Sequence, residues 1–203
     1  MPKSYQHDFR TTELDPDLLL TSFAVQTKWH VITGAVSCGK TTLVNLLAEK
    51  GFKTVQEGAR LFIESEIARG RTIEQIRTNS QKLQQDIKDV QLCIERGLRV
   101  IDFAFLDRAV PDCLAWYRLF GLNPNKILHD CFEHRYASVF ILDPLPLQLD
   151  GIRFENKNYS DFLDEWHTRD YCSLGYNVVR VPVLSPEERV AFVIKVLSEQ
   201  GLI

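Results

Sequence analysis

Short apolar runs at Trp29–Thr33, Phe52–Glu57, Phe103–Leu106, Ala137–Leu142 and Asn177–Val181 alternate with longer stretches in which apolar residues recur every three or four positions. The runs read as buried strands, and the longer stretches as helices with an apolar stripe. Helices are expected over Thr42–Lys50, closed by Gly51, and over Ala59–Arg69, closed by Gly70. Ser80–Arg96 carries Leu83, Ile87, Val90, Leu92 and Ile94 near helical period, with Gly97 behind it. Further helices are expected over 111–120, from about 124 to 133, and over 160–174 and 186–200. Thr72–Gln75 has capping-box spacing, and Ser185–Glu188 joins an N-cap serine to a proline and a third-position acid.

Strands alternating with helices imply right-handed β-α-β units and a parallel sheet with helices on both faces, an α/β three-layer fold. Ligands of such sheets bind beyond the carboxyl ends of the strands. There the chain delivers a glycine-rich loop, Glu57, Asp107 and Asp143, so three carboxylates are expected to converge. Asp102 belongs to the lead-in of its strand, because a mid-strand carboxylate in a covered parallel sheet is costly. Residues 1–22, with Pro2, Pro16 and scattered charges, read as an N-terminal arm, and 23–203 as a single domain. Phe23–Thr27 reads either as an added edge strand or as a lead-in. Residues 144–159, polar and interrupted by Pro144, Pro146 and Gly151, read as a lid-like flap.

The loop is Gly34-Ala35-Val36-Ser37-Cys38-Gly39-Lys40-Thr41, a G-x-x-x-x-G-K-T phosphate-binding loop between strand and helix. Its glycines let successive N–H groups face one point, and the following helix adds its positive end. Residues 34–42, Thr42 included, are expected to bind ATP or another nucleoside triphosphate, with Lys40 reaching the β and γ phosphates. Thr41 and Asp107 are the expected Mg²⁺ residues, Asp107 acting through water because this ion releases its shell reluctantly. Glu57 is placed to orient or deprotonate an acceptor hydroxyl. Arg153 in the flap is the expected clamp on the transferring charge, with Arg169 second. Arg60 and Arg108 are open between holding an anion and pairing with neighbouring carboxylates. His30, His129, His134 and His167 lack metal or triad spacing and read as structural or exposed.

Composition narrows the picture little. The 203 residues are 45% hydrophobic and 25% charged with a formal net charge of −3, a globular mix with no global pull toward nucleic acid. Five scattered cysteines without C-x-x-C spacing argue against a disulfide framework or zinc site and fit a reducing cytoplasm. No apolar run approaches membrane-spanning length, so no transmembrane segment is expected. Oligomeric state is left open. The guanine signature N-K-x-D fails at Tyr159, and Asp107 is followed by Arg108 rather than by a second acid, which leaves a small-kinase arrangement.

The loop, Gln56–Arg60, Phe105–Asp112 and Asp150–Arg153 together resemble the NadR-like branch of P-loop proteins, small AAA-type domains that include a ribosylnicotinamide kinase. The resemblance spans roughly residues 29 to 200. It implies a five-stranded parallel sheet of kinase-type order 2-3-1-4-5, with Glu57 and Asp107 facing nucleotide, Mg²⁺ and acceptor, and Arg153 in the lid. The expected function is that of an ATP/Mg²⁺-dependent phosphotransferase acting on a small, nucleoside-type acceptor. A nucleotide-gated module with a lipid or protein partner, and a slow NTPase without acceptor, are open alternatives.

Overall fold

The computed structural model describes residues 8–145 and 157–203. In chain order the main elements are β1 (Val25–Gln26), β2 (Trp29–Gly34), α1 (Lys40–Glu49), β3 (Thr54–Val55), α2 (Gly58–Ala68), α3 (Ile73–Arg77) and α4 (Ser80–Arg96). They continue with β4 (Ala104–Asp107), α5 (Asp112–Leu119), β5 (His134–Arg135), β6 (Ser138–Leu142), α6 (Lys157–Ser173), β7 (Val178–Val181) and α7 (Pro186–Glu199). The main sheet has five strands in the order β3-β4-β2-β6-β7, and every neighbouring pair is parallel. Counting its strands along the chain, this is the expected order 2-3-1-4-5.

Alternation along the strands sorts the core into two layers. Val31, Leu106, Val139 and Ile141 pack with Leu114, Leu128 and Tyr171 on the α5–α6 face. Ile32, Phe105, Phe140 and Leu142 pack with Leu43, Leu47, Val190 and Val193 on the α1–α7 face. Every residue of β2, β4 and β6 is therefore buried, as a parallel sheet covered on both faces requires.

Local chemistry sets the helix ends. Thr72 with Gln75 and Ser185 with Glu188 both form complete capping boxes. Asn79 caps α4 by accepting from the Lys82 N–H at 2.9 Å. Three expectations shift. The second strand shrinks from 52–57 to Thr54–Val55, because β3 is an edge strand held only by β4. The helix expected over 124–133 is replaced by two 3₁₀ turns, Pro124–Lys126 and His129–Phe132. They deliver β5 to β1, so Val25–Gln26 forms a separate parallel pair rather than an edge of the main sheet.

Residues 8–22 lie against the domain. Leu14 is buried in the α5–α6 core, and the Thr12 carbonyl accepts from Arg118 Nε at 2.7 Å. Asp102 sits ahead of β4 as expected and pairs with Lys53. Arg153 and most of the expected flap lie outside the described residues.

Candidate functional site

The β2–α1 loop has backbone that only particular residues tolerate. Gly34 has φ +138°, and a Cβ there would stand 2.8 Å from the Leu142 carbonyl oxygen and 3.0 Å from Cys38 Sγ. Gly39, the N-cap of α1, has φ +92°. Ser37 takes φ +60° without being glycine, a conformation that costs energy and clusters at functional sites. Lys40 is buried under the loop, and its ammonium donates to the carbonyl oxygens of Ala35 at 2.5 Å and Gly34 at 3.2 Å. Burial, with the charge of Arg108 second, pulls the Lys40 pKa below the usual lysine range.

Thr41 and Asp107 are in contact. The Thr41 hydroxyl donates to Asp107 Oδ2 at 3.3 Å. Asp107 Oδ1 is buried without a hydrogen-bond partner among the described residues. Burial, reinforced by the Glu57 charge, raises the Asp107 pKa to about 6. A buried acceptor lacking a donor beside a threonine hydroxyl at the mouth of a phosphate loop fits a water-shelled Mg²⁺. Among the described residues no cluster of three or more His, Cys, Asp or Glu forms a separate protein-only metal cage.

Arg108 is the hinge of the site. Its φ of +69° is rare for a residue with a side chain. Its own N–H donates to the Ile32 carbonyl at 3.0 Å, tying it to β2. Its guanidinium reaches Glu57 Oε1 at 2.7 Å through Nε and Asp112 Oδ1 at 3.0 Å through Nη1. The choice left open for Arg108 thus resolves to carboxylate pairing, in a buried rather than a surface setting. Arg60 pairs with Glu64 on the exposed side of α2.

Asp112, given no role of its own from the sequence, is 1% exposed and strongly engaged. It accepts from Thr33 Oγ1, from the Ala109 N–H at 3.1 Å and from Tyr171 Oη at 2.7 Å. Burial pushes its carboxyl up, but neighbouring charge and these hydrogen bonds hold it below the usual carboxylate range. His167, 3.7 Å away, is driven by burial to a pKa of about 3 and is neutral. Arg108 is one of the charges that hold the Asp112 carboxyl down.

Two sequence expectations are corrected. Asp143 does not join the convergence. It pairs with Arg180 at 2.6 Å, and Arg180 also holds Asp164, so the third strand tip is consumed by β7 and α6. Arg169 pairs with Glu13 and Glu165 and stacks on Trp166, away from the loop.

Arg189, on the first turns of α7, was not singled out from the sequence. Buried, it donates to the carbonyls of Cys38 at 2.5 Å, Pro182 at 3.0 Å and Asp143 at 3.2 Å. A cation near a helix N-terminus opposes the helix dipole, and that misfit was the available signal.

The loop, Glu57, Arg108 and Asp112 line one cavity of about 890 Å³; Asp107 is not among its lining residues. Its loop end holds Ser37, Lys40, Thr41 and Thr42, and its middle Glu57, Arg108 and Asp112. The far end is walled by Ile63, Leu83, Ile87, Trp116 and Phe120, with the Trp116 and Phe120 rings stacked at 6.1 Å. The glycine-rich loop, the carboxylates and the apolar wall line one continuous cavity.

Comparison with known proteins bears on the family and the fold. A family model described as an AAA domain matches residues 29–189. Among solved structures, NadR protein in complex with NR superposes with TM-score 0.62 at 19% identity, covering 85% of this chain and 50% of that one. NadR in complex with NAD and AMP-PNP gives 0.62 at 18%, covering 86% and 50%. Shikimate kinase from Aquifex aeolicus gives 0.52 at 15%, covering 86% and 98%. The chain thus spans half the length of the NadR chains. A search of curated proteins gives no match.

Proposed function

The chain belongs to the AAA domain family, as a small NadR-like P-loop domain, and from that premise we propose that it is an ATP- and Mg²⁺-dependent phosphotransferase with a small, nucleoside-type acceptor. One observation carries the reading: the phosphate loop and an apolar-walled chamber share a single cavity, with Glu57 between them. A plain NTPase needs only the loop end, whereas this cavity has room for a second substrate. The Trp116–Phe120 wall suits a planar ring, and the carboxylate at the junction suits a hydroxyl. The NadR structure bound to NR supports a nucleoside-type acceptor.

In the proposed reaction the acceptor hydroxyl attacks the γ-phosphorus while Glu57 takes its proton. The bond from the γ-phosphorus to the bridging oxygen breaks and ADP departs. Loop amides and Lys40 hold the transferring charge, and Arg108 keeps Glu57 oriented. Thr41 and Asp107 would hold Mg²⁺, which would supply neutralisation of phosphate charge when bound. Arg153 is the proposed lid cation. The test is incubation with γ-labelled ATP and a panel of nucleosides and other hydroxyl metabolites. Label is expected on one acceptor class. Release of inorganic phosphate alone, unaffected by every compound, would overturn the reading in favour of a slow NTPase.

A further inference from the structure

Glu57 and Arg108 come from different strand tips, yet the site needs them in fixed relation. The backbone of Gly58, next to Glu57, and that of Arg108 are both tied to one side chain on α4. Gln91 is 3% exposed, and its Oε1 accepts from the Gly58 N–H, the residue after Glu57, at 3.1 Å. Its Nε2 donates to the Arg108 carbonyl at 3.4 Å and to Glu95 Oε1 at 3.0 Å. Glu95 in turn accepts from the Val110 N–H at 2.9 Å and from Tyr136 Oη at 2.7 Å.

We propose that Gln91 is a positioning residue: its amide bridges the α2 N-terminus to the β4–α5 loop and thereby sets the Glu57–Arg108 contact on which proton removal depends. This rests on the phosphotransferase reading only for its kinetic consequence. The left-handed backbone of Arg108 makes the bridge necessary, because that conformation persists only when its surroundings over-determine it. Its N–H is held by β2 and its side chain by two carboxylates, while Gln91 is the side chain that holds its carbonyl.

Gly58 supplies an independent handle. A Cβ there would lie 2.7 Å from Gln91 Oε1 and 3.2 Å from Gln91 Cα, so alanine displaces the amide and also presses on the α4 backbone. Alanine otherwise suits a helix better than glycine, so Gly58→Ala separates the bridge from helix propensity.

The experiment compares Gln91→Met, which keeps the volume and removes the bonds, with Gly58→Ala. The measurements are steady-state kinetics and the ¹⁵N resonance of the Arg108 Nε–H, assigned by its loss in Arg108→Lys. Thermal unfolding selects the folded variants. The wild type is expected to show a slowly exchanging Nε–H, bonded to Glu57. Both variants are expected to lose that protection and to lower kcat by about 10²-fold, with KM for ATP within about twofold because the loop is untouched. A protected Nε–H in a folded variant, or an unchanged kcat, overturns the proposal. A wild type that phosphorylates no acceptor defeats the phosphotransferase reading instead, and the Nε–H signal still decides whether Gln91 positions the pair.

Discussion

Lys40, Thr41 and Asp107 test the phosphate end most simply. Lys40→Ala removes the cation whose ammonium sits on the Ala35 and Gly34 carbonyls, and triphosphate binding or transfer is expected to fall by about 10²-fold. Equilibrium dialysis and steady-state kinetics check it, and unchanged values would remove the loop from the mechanism. Asp107→Asn keeps the shape but removes the charge. Mg²⁺ titrations of turnover should shift by about 10–100-fold with the melting curve intact, and equal curves would deny Asp107 that role. The loop residues were legible because the motif is contiguous and its context local. Arg108 and Asp112 were visible as residue types but not as partners. Asp112 gathers Thr33, Tyr171 and Arg108, and such separations leave no local pattern to read.

At the scale of elements, α7 is a brace for the loop rather than a mere cover. Arg189→Met leaves the Cys38, Pro182 and Asp143 carbonyls without their donor. A loss of about 1–3 kcal/mol in unfolding free energy is expected, with weaker ATP binding measured by calorimetry. β2 carries a pH-dependent element. His30 bonds Ser138 Oγ through Nδ1 at 2.6 Å, and burial lowers its pKa from 6.5 to about 4. Between these values the unfolded chain binds a proton that the folded chain refuses, so the His30 contribution to stability is lost as pH falls. The destabilisation caused by His30→Gln is therefore expected to shrink by up to about 1.4 kcal/mol per pH unit between 6.5 and about 4, read from denaturant unfolding across pH. A pH-independent difference would contradict it. Element ends were the most legible features, since Thr72 with Gln75 and Ser185 with Glu188 act over three residues. The failures were non-local: the β1–β5 pairing and the 3₁₀ turns depend on contacts more than 100 residues away in sequence, as between Thr27 and Arg135.

Across the whole molecule, the sheet divides the labour. The α1–α7 layer fixes the loop, the opposite layer carries α4 and α5 with the chamber, and the β2 and β4 tips join them. Alternating strands and helices gave the parallel sheet, and the family resemblance implied its order; both were present in the sequence. The chamber was not, because its walls come from α2, α4 and α5 and exist only once these pack. Among the described residues no helix is long and apolar enough to cross a membrane. The most direct test of the account is a crystal structure with Mg²⁺ and a non-hydrolysable ATP analogue. The γ-phosphate should face the chamber beside Glu57, with the metal between Thr41 and Asp107. A γ-phosphate turned to solvent, with Glu57 and Asp107 apart from it, would contradict the claim that loop and chamber form one site.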